Sequence, residues 1–115
     1  MFRFEKLEIW KKGIEVADKM FDLADRLDEK RNYRFAEQLR SASLSIVNNI
    51  AEGSGSISRK EFKQFLNFSH RSISETANMI IMCFRRSYIE EKDKNDSLYQ
   101  LEEISKMVIG FSKSL

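Results

Sequence analysis

The sequence predicts an all-α protein, an antiparallel four-helix bundle of up-down-up-down order. Three observations lead there. Proline is absent and glycine occupies only four of 115 positions, whereas a β-rich chain of this size needs frequent turn residues. Apolar residues recur in steps of three and four along four separate stretches, which places them on one face of a helix with about 3.6 residues per turn. Short polar segments divide those stretches, and their length suits antiparallel neighbours. A chain of this length fits one domain with one core, so residues 1–115 are read as a single unit.

The first helix is expected over residues 4–27. Leu7, Trp10, Ile14, Ala17, Phe21 and Ala24 are spaced 3, 4, 3, 4 and 3, the seam of a helix crossing its neighbours at a shallow angle. A second row, Ile9, Val16, Met20, Leu23 and Leu27, flanks it, so the apolar face is wider than one seam requires. Polar residues 28–32 then lead to a second helix over 33–52, striped by Phe35, Leu39, Ala42, Ile46 and Ile50. Gly53 is expected in the left-handed conformation that ends a helix, with Gly55 turning the chain again. Ser58 and Glu61 form a capping-box pattern that opens a third helix over 58–90, striped by Phe62, Phe65, Leu66, Ser69 and Ile73. At roughly 30 residues it would reach about 45 Å, long enough to bend or project. Residues 90–96 are read as the next connection, with Asp96 or Ser97 as a cap. The last helix is expected over 97–113, buried through Leu98, Leu101, Ile104, Val108 and Phe111. Gly110 in that stripe either weakens the helix or admits a close neighbour.

Helices one and three carry apolar residues beyond a single stripe, on the third Phe65, Phe68, Met79 and Met82. A second apolar row implies a second buried face, so self-association into a homo-oligomer is expected.

Few residues offer chemistry. His70 and Cys83 are each the only one of their kind. Cys83 lies in the apolar run 79–84 and reads as a small core residue; an unpaired cysteine suits a reducing compartment. The start of the chain lacks the apolar block of a secretory signal, and no run approaches the roughly 20 apolar residues of a membrane helix. A cytoplasmic protein without membrane contact is expected. One histidine and one cysteine, with neither HExxH nor CxxC spacing, predict no metal and no cofactor. Glu52 is followed three residues later by Gly55, not by the histidine of a di-iron bundle. The loop Gly53-Ser54-Gly55 lacks the lysine of a phosphate-binding loop. Some helical ribonucleases place an arginine shortly before a histidine; here the nearest upstream arginine, Arg59, lies eleven residues before His70. Serines are so abundant that one near His70 is a coincidence, and catalysis is not expected.

Asn49 falls on the apolar face of helix two, with Glu52 one turn on. A buried amide or carboxylate costs several kcal/mol unless it finds partners. Ser45, Ser69, Ser72 and Ser74 could supply them, in a structural polar network that fixes how helices two and three pair; a ligand site is the alternative. Charge is unevenly spread. From Ser58 to Tyr88, six basic residues (Arg59, Lys60, Lys63, Arg71, Arg85 and Arg86) face two acidic ones, giving +4. From Phe4 to Asp28, five basic and seven acidic residues give −2. The overall +2 thus hides a dipolar distribution. A basic helix is a track for phosphates, and ordinary surface charge is the competing reading.

Residues 38–75, QLRSASLSIVNNIAEGSGSISRKEFKQFLNFSHRSISE, resemble the 23S rRNA-intervening-sequence proteins, a four-helix-bundle family that includes the accessory variability determinant of diversity-generating retroelements. The matching features are Gln38-Leu39-Arg40, Ser45-Ile46, Asn49-Ile50-Ala51-Glu52-Gly53, and Glu61-Phe62 followed by Phe65-Leu66. The opening Phe4–Gly13 is similar to the family's first helix. The resemblance implies a ring-shaped homopentamer with a positively charged surface that binds RNA or other nucleic acid and has no enzymatic activity. Arg40 matches a family position and joins the six cations of helix three as a candidate nucleic-acid contact. Val47 stands where the family usually has proline, so helix two is expected to be straighter here. The alternative function is a protein-interaction scaffold, or an accessory subunit docking on a polymerase or ribosomal protein.

Overall fold

The computed structural model describes residues Met1–Leu115. A short 3-10 turn, Arg3–Lys6, precedes four α-helices: α1 (Glu8–Glu29), α2 (Tyr33–Ser54), α3 (Arg59–Arg85) and α4 (Glu91–Ser114). There is no strand. α1 packs on α2, α2 on α3, α3 on α4 and α4 back on α1, while the diagonal pairs do not pack. This is the antiparallel up-down-up-down bundle, 44 × 22 × 20 Å in extent.

The α2–α3 contact is the most extensive of the four. Small buried residues allow it: Ala42 and Ser43 on α2, Ser69, Ser72 and Thr76 on α3. A buried hydroxyl must find an acceptor. Ser69 Oγ donates across the interface to the Ile46 carbonyl at 2.8 Å, and Thr76 Oγ1 donates to the Ser72 carbonyl at 2.8 Å.

On α1 the larger side chains of the two apolar rows exchange roles. Ile9, Val16, Met20, Leu23 and Leu27 form the core; of the first row only Ala17 and Ala24 are buried with them, whereas Leu7, Trp10, Ile14 and Phe21 are half-buried. Gly13 explains the exchange. It completes an inward row from Ile9 to Leu27, and a Cβ there would lie 2.7 Å from Val47 Cγ1 and 3.3 Å from Ile104 Cδ1. The missing side chain brings α2 and α4 against that face. Counting apolar residues alone treats the glycine as a gap.

Three boundaries differ from expectation. Leu7 is extended (φ −81°, ψ 129°), so α1 starts at Glu8 rather than near residue 4. α3 stops at Arg85 because Ser87 takes φ 62°, and Tyr88 N–H then bonds the Cys83 carbonyl at 2.9 Å. That six-residue closure is how a left-handed residue ends a helix. α4 starts at Glu91, so the polar run 90–96 is its opening and not a connection. Asp93 accepts from Glu90 N–H at 3.1 Å, and the acidic first turn complements the positive end of the helix dipole. Asp96 and Ser97 lie inside the helix, and Ser97 is buried.

Gly53 does not turn the chain. No glycine has positive φ; Arg31 and Ser87 occupy the left-handed region instead. α2 runs on to Ser54, with Gly55 as its cap at φ −86°. Gly53 is buried at the α2–α3 crossing, where a Cβ would lie 2.8 Å from both Phe62 Cδ1 and Phe65 Cβ. Ser58 opens α3 by accepting from Glu61 N–H at 3.1 Å. Gly110 is exposed with nothing within 4 Å of an added Cβ. It only weakens α4, so Gly110→Ala should raise stability by about 0.5–1 kcal/mol in a denaturant titration.

Candidate nucleic-acid interface

The outward face of α3 is where the charge imbalance takes physical form. Core residues Phe62, Leu66, Ser69, Ile73, Thr76, Ile80 and Cys83 point one way. Arg59, Lys60, Lys63, Arg71, Arg85 and Arg86 all lie on exposed positions. None of the six takes part in an ion pair. The ion pairs belong to other cations: Lys11 with Glu8, Lys12 with Glu15 and Glu103, Arg26 with Asp93, and Arg40 with Asp25 and Asp28. Arg59, Lys60 and Lys63 gather in the opening turns of α3, Arg71 stands near its middle, and Arg85 and Arg86 sit at its far end. The face is therefore a line of free cations and not a single pocket.

Arg40 does not join this face. Its Nη2 reaches Asp25 Oδ1 and Asp28 Oδ2 on α1, each at 2.6 Å. Hydrogen bonds to Asp28 and Asp25 raise its pKa above the ordinary arginine value. Neutralised between two carboxylates, Arg40 clamps α2 to α1. Arg40→Ala should cost no more than about 1 kcal/mol of stability, as exposed pairs do. It should leave nucleic-acid affinity within about twofold, where a lost phosphate contact would cost more. A melting curve and a binding titration check the two halves. Arg26 and Asp93 form the corresponding clamp between α1 and α4. The Arg26 guanidinium holds the Asp93 carboxyl below its ordinary range.

Asn49 lies half-buried on the floor of a groove between α2 and α3, not in the core. Its Nδ2 donates to Ser45 O at 2.8 Å and Ser45 Oγ at 3.1 Å, and Ser72 Oγ donates to Ser45 Oγ at 2.9 Å. The network thus runs Asn49–Ser45–Ser72. Ser69 acts separately, through the Ile46 carbonyl. Glu52 lies outside the network: it is exposed and lines a different groove, with Phe2, Phe4 and Ala51. Arg71 and Glu75 line the Asn49 groove together, so its charge is mixed.

His70 Nε2 shares a 3.0 Å hydrogen bond with Ser105 Oγ of α4. Cys83 is buried, and desolvation pushes its thiol up to about 11, which makes it a poor nucleophile at neutral pH. No group of three or more His, Cys, Asp or Glu side chains is placed to hold a metal ion. No helix is long and apolar enough to cross a membrane.

Two cations near the opening of α3 escape notice in the linear sequence. Lys113 of α4 lines a groove with Lys63, and Arg3 shares a hollow with Arg59. Only the fold brings the two ends of the chain beside residues 59–63, so no local signal could have marked them.

The fold has solved counterparts. A crystal structure of a protein of unknown function from the S23 ribosomal protein family of Bacteroides thetaiotaomicron is similar to this chain at 25% identity and a TM-score of 0.87, covering 91% of this chain and 98% of that one. Comparison with curated proteins finds no significant match. The sequence profile of the 23S rRNA-intervening sequence proteins matches residues 5–110. That match takes in α1 to α3 and most of α4, and the chain belongs to the family of 23S rRNA-intervening sequence proteins.

Proposed function

We propose that the protein is a non-catalytic, self-associating nucleic-acid-binding protein of the cytoplasm, with RNA as its first partner. The observation that carries this reading is the row of six unpaired cations on α3 and its cap. Phosphate contacts gain free energy by releasing counterions from the nucleic acid. A cation already neutralised by a carboxylate, like Arg40, contributes little to that release. The six on α3 have no such internal partner. The family's name, which refers to a segment of 23S ribosomal RNA, supports RNA over other polyanions. Fluorescence anisotropy with a labelled RNA tests the reading. Dissociation constants of about 10⁻⁶ M or tighter are expected at low salt. No binding at about 10⁻⁴ M protein would overturn it.

Self-association rests on apolar side chains left outside the core. Ile14 and Phe21 on α1 are half-buried, and on α2 Leu44 is 44% exposed. On α3, Phe68 is 37% and Met82 38% exposed. Setting the apolar side chains of α1 in one copy against those of α3 in the next, with the α3 cations left outside the contact, gives a head-to-tail arrangement, the kind that closes into a ring; a homopentamer is the ring we put forward. Light scattering should give a multiple of the 13.6 kDa chain. A particle of single-chain mass would overturn it. A protein partner captured after nuclease treatment, with no RNA affinity, would instead favour a scaffold or accessory subunit.

A further inference from the structure

We infer that the groove between α3 and α4 seats one nucleotide, its phosphate between Lys63 and Lys113 and its base on the apolar floor of Leu66, Val108 and Ile109. The inference rests on the nucleic-acid reading above and names where on that surface a single nucleotide is held. The groove encloses about 310 Å³, the lower range of small-molecule sites. No acidic side chain lines it. Lys63 and Lys113 are exposed, and neither is engaged in an ion pair. Leu66 and Val108 are buried at 1% exposure each, whereas Ile109 is 40% exposed. Leu66 and Val108 close the bottom of the groove, and the exposed side chain of Ile109 is the apolar surface that the face of a base can cover.

Polar groups on the walls are uncommitted. The Asn67 amide makes no hydrogen bond within the chain, and neither does the Ser112 hydroxyl. Both line the groove. An amide offers two donors and an acceptor, the complement of a base edge. His70 is fixed through Nε2 by Ser105 Oγ at 3.0 Å, which leaves its other ring nitrogen for a ligand. Two other interhelical grooves are less suited to an anion. Glu75 lines the one between α2 and α3, and Asp22, Asp93 and Asp96 line the one between α1 and α4.

A base can reach the floor only when it is not stacked and paired in a duplex. The groove therefore selects single-stranded RNA over duplex. A free nucleoside monophosphate shares the same chemistry, so the test separates the two sources. The full-length protein is titrated with a single-stranded RNA of about ten nucleotides, with a duplex of equal length, and with adenosine monophosphate. Affinities are compared between the natural protein and the Asn67→Ala/Ser112→Ala variant. Both changes leave the charge unaltered and lie at the surface.

The expected result is a loss of about fivefold or more in single-strand affinity, the effect of one or two hydrogen bonds, with duplex affinity unchanged. Lys113→Gln, a second variant at an exposed position, should also weaken the single strand more than the duplex. Backbone amide shifts at Asn67, His70 and Ile109 should move with the single strand. If adenosine monophosphate moves the same shifts, a free nucleotide is a ligand in its own right. If the variants bind both RNAs like the natural protein, or if those shifts stay still, the groove inference fails and the nucleic-acid reading stands. If the natural protein binds neither RNA, the reading itself fails.

Discussion

Replacing Lys60, Lys63, Arg85 and Arg86 together with glutamine should weaken RNA binding by roughly a hundredfold or more near 0.1 M salt. Each cation that meets a phosphate contributes about 0.7–0.9 to the salt exponent, so four lost contacts compound quickly. The loss should be similar for unrelated RNA sequences, because phosphates carry no sequence information. All four residues are exposed and outside every ion pair. Glutamine keeps much of their aliphatic length, so the bundle should fold unchanged, and circular dichroism checks that. Arg40→Ala is the matched control: it removes one cation that two aspartates already neutralise. An unchanged affinity in the fourfold variant would mean that phosphates bind elsewhere.

The second large effect is on stability. Gly53→Ala should lower it by about 1–3 kcal/mol, the usual cost of overpacking. Alanine gains up to about 1 kcal/mol of helix propensity over glycine, and the crowding must exceed that. It does so because one of the two atoms at 2.8 Å is Phe65 Cβ. A Cβ is bonded to the backbone, so no rotamer change removes the clash. α2 and α3 would have to separate along their tightest contact. Thermal unfolding should show a drop of several degrees. Gly110→Ala, the same chemical change in open space, should move the midpoint the other way. A Gly53→Ala protein as stable as the natural one would contradict the close approach.

These two glycines show what a sequence conveys and what it withholds. Steps of three and four mark a helix whatever it packs on, so all four helices were legible. Which face turns inward depends on neighbours, and on α1 the deciding residue was Gly13, which no apolar count registers. Gly53 beside Gly55 reads as a turn because glycine permits one. Only the positions of Phe62 and Phe65 reveal that it is there for contact. The run 90–96 reads as a loop because its residues are polar. An exposed first turn of a helix is polar too, and it gains from the acidic side chains at 91 and 93.

The candidate interface was legible in the same partial way. The charge imbalance between α1 and α3 is a matter of counting. Which cations are free is a matter of tertiary pairing, and it separates Arg40 from the six on α3. Asn49 was marked as a polar residue on an apolar face, and it does bond Ser45. Glu52, three residues on, faces solvent because a three-residue step falls about 60° short of a full turn, and Asn49 already lies at the edge of the buried face. Lys113 enters the surface only once α4 lies along α3.

The most direct measurement is the slope of log RNA affinity against log salt, for the natural protein and for the variant lacking Lys60, Lys63, Arg85 and Arg86. A face of free cations predicts a steep negative slope for the natural protein. The variant's slope should be shallower by about 0.7–0.9 for each cation that touches a phosphate. Equal slopes in the two proteins, or an affinity indifferent to salt, would contradict it.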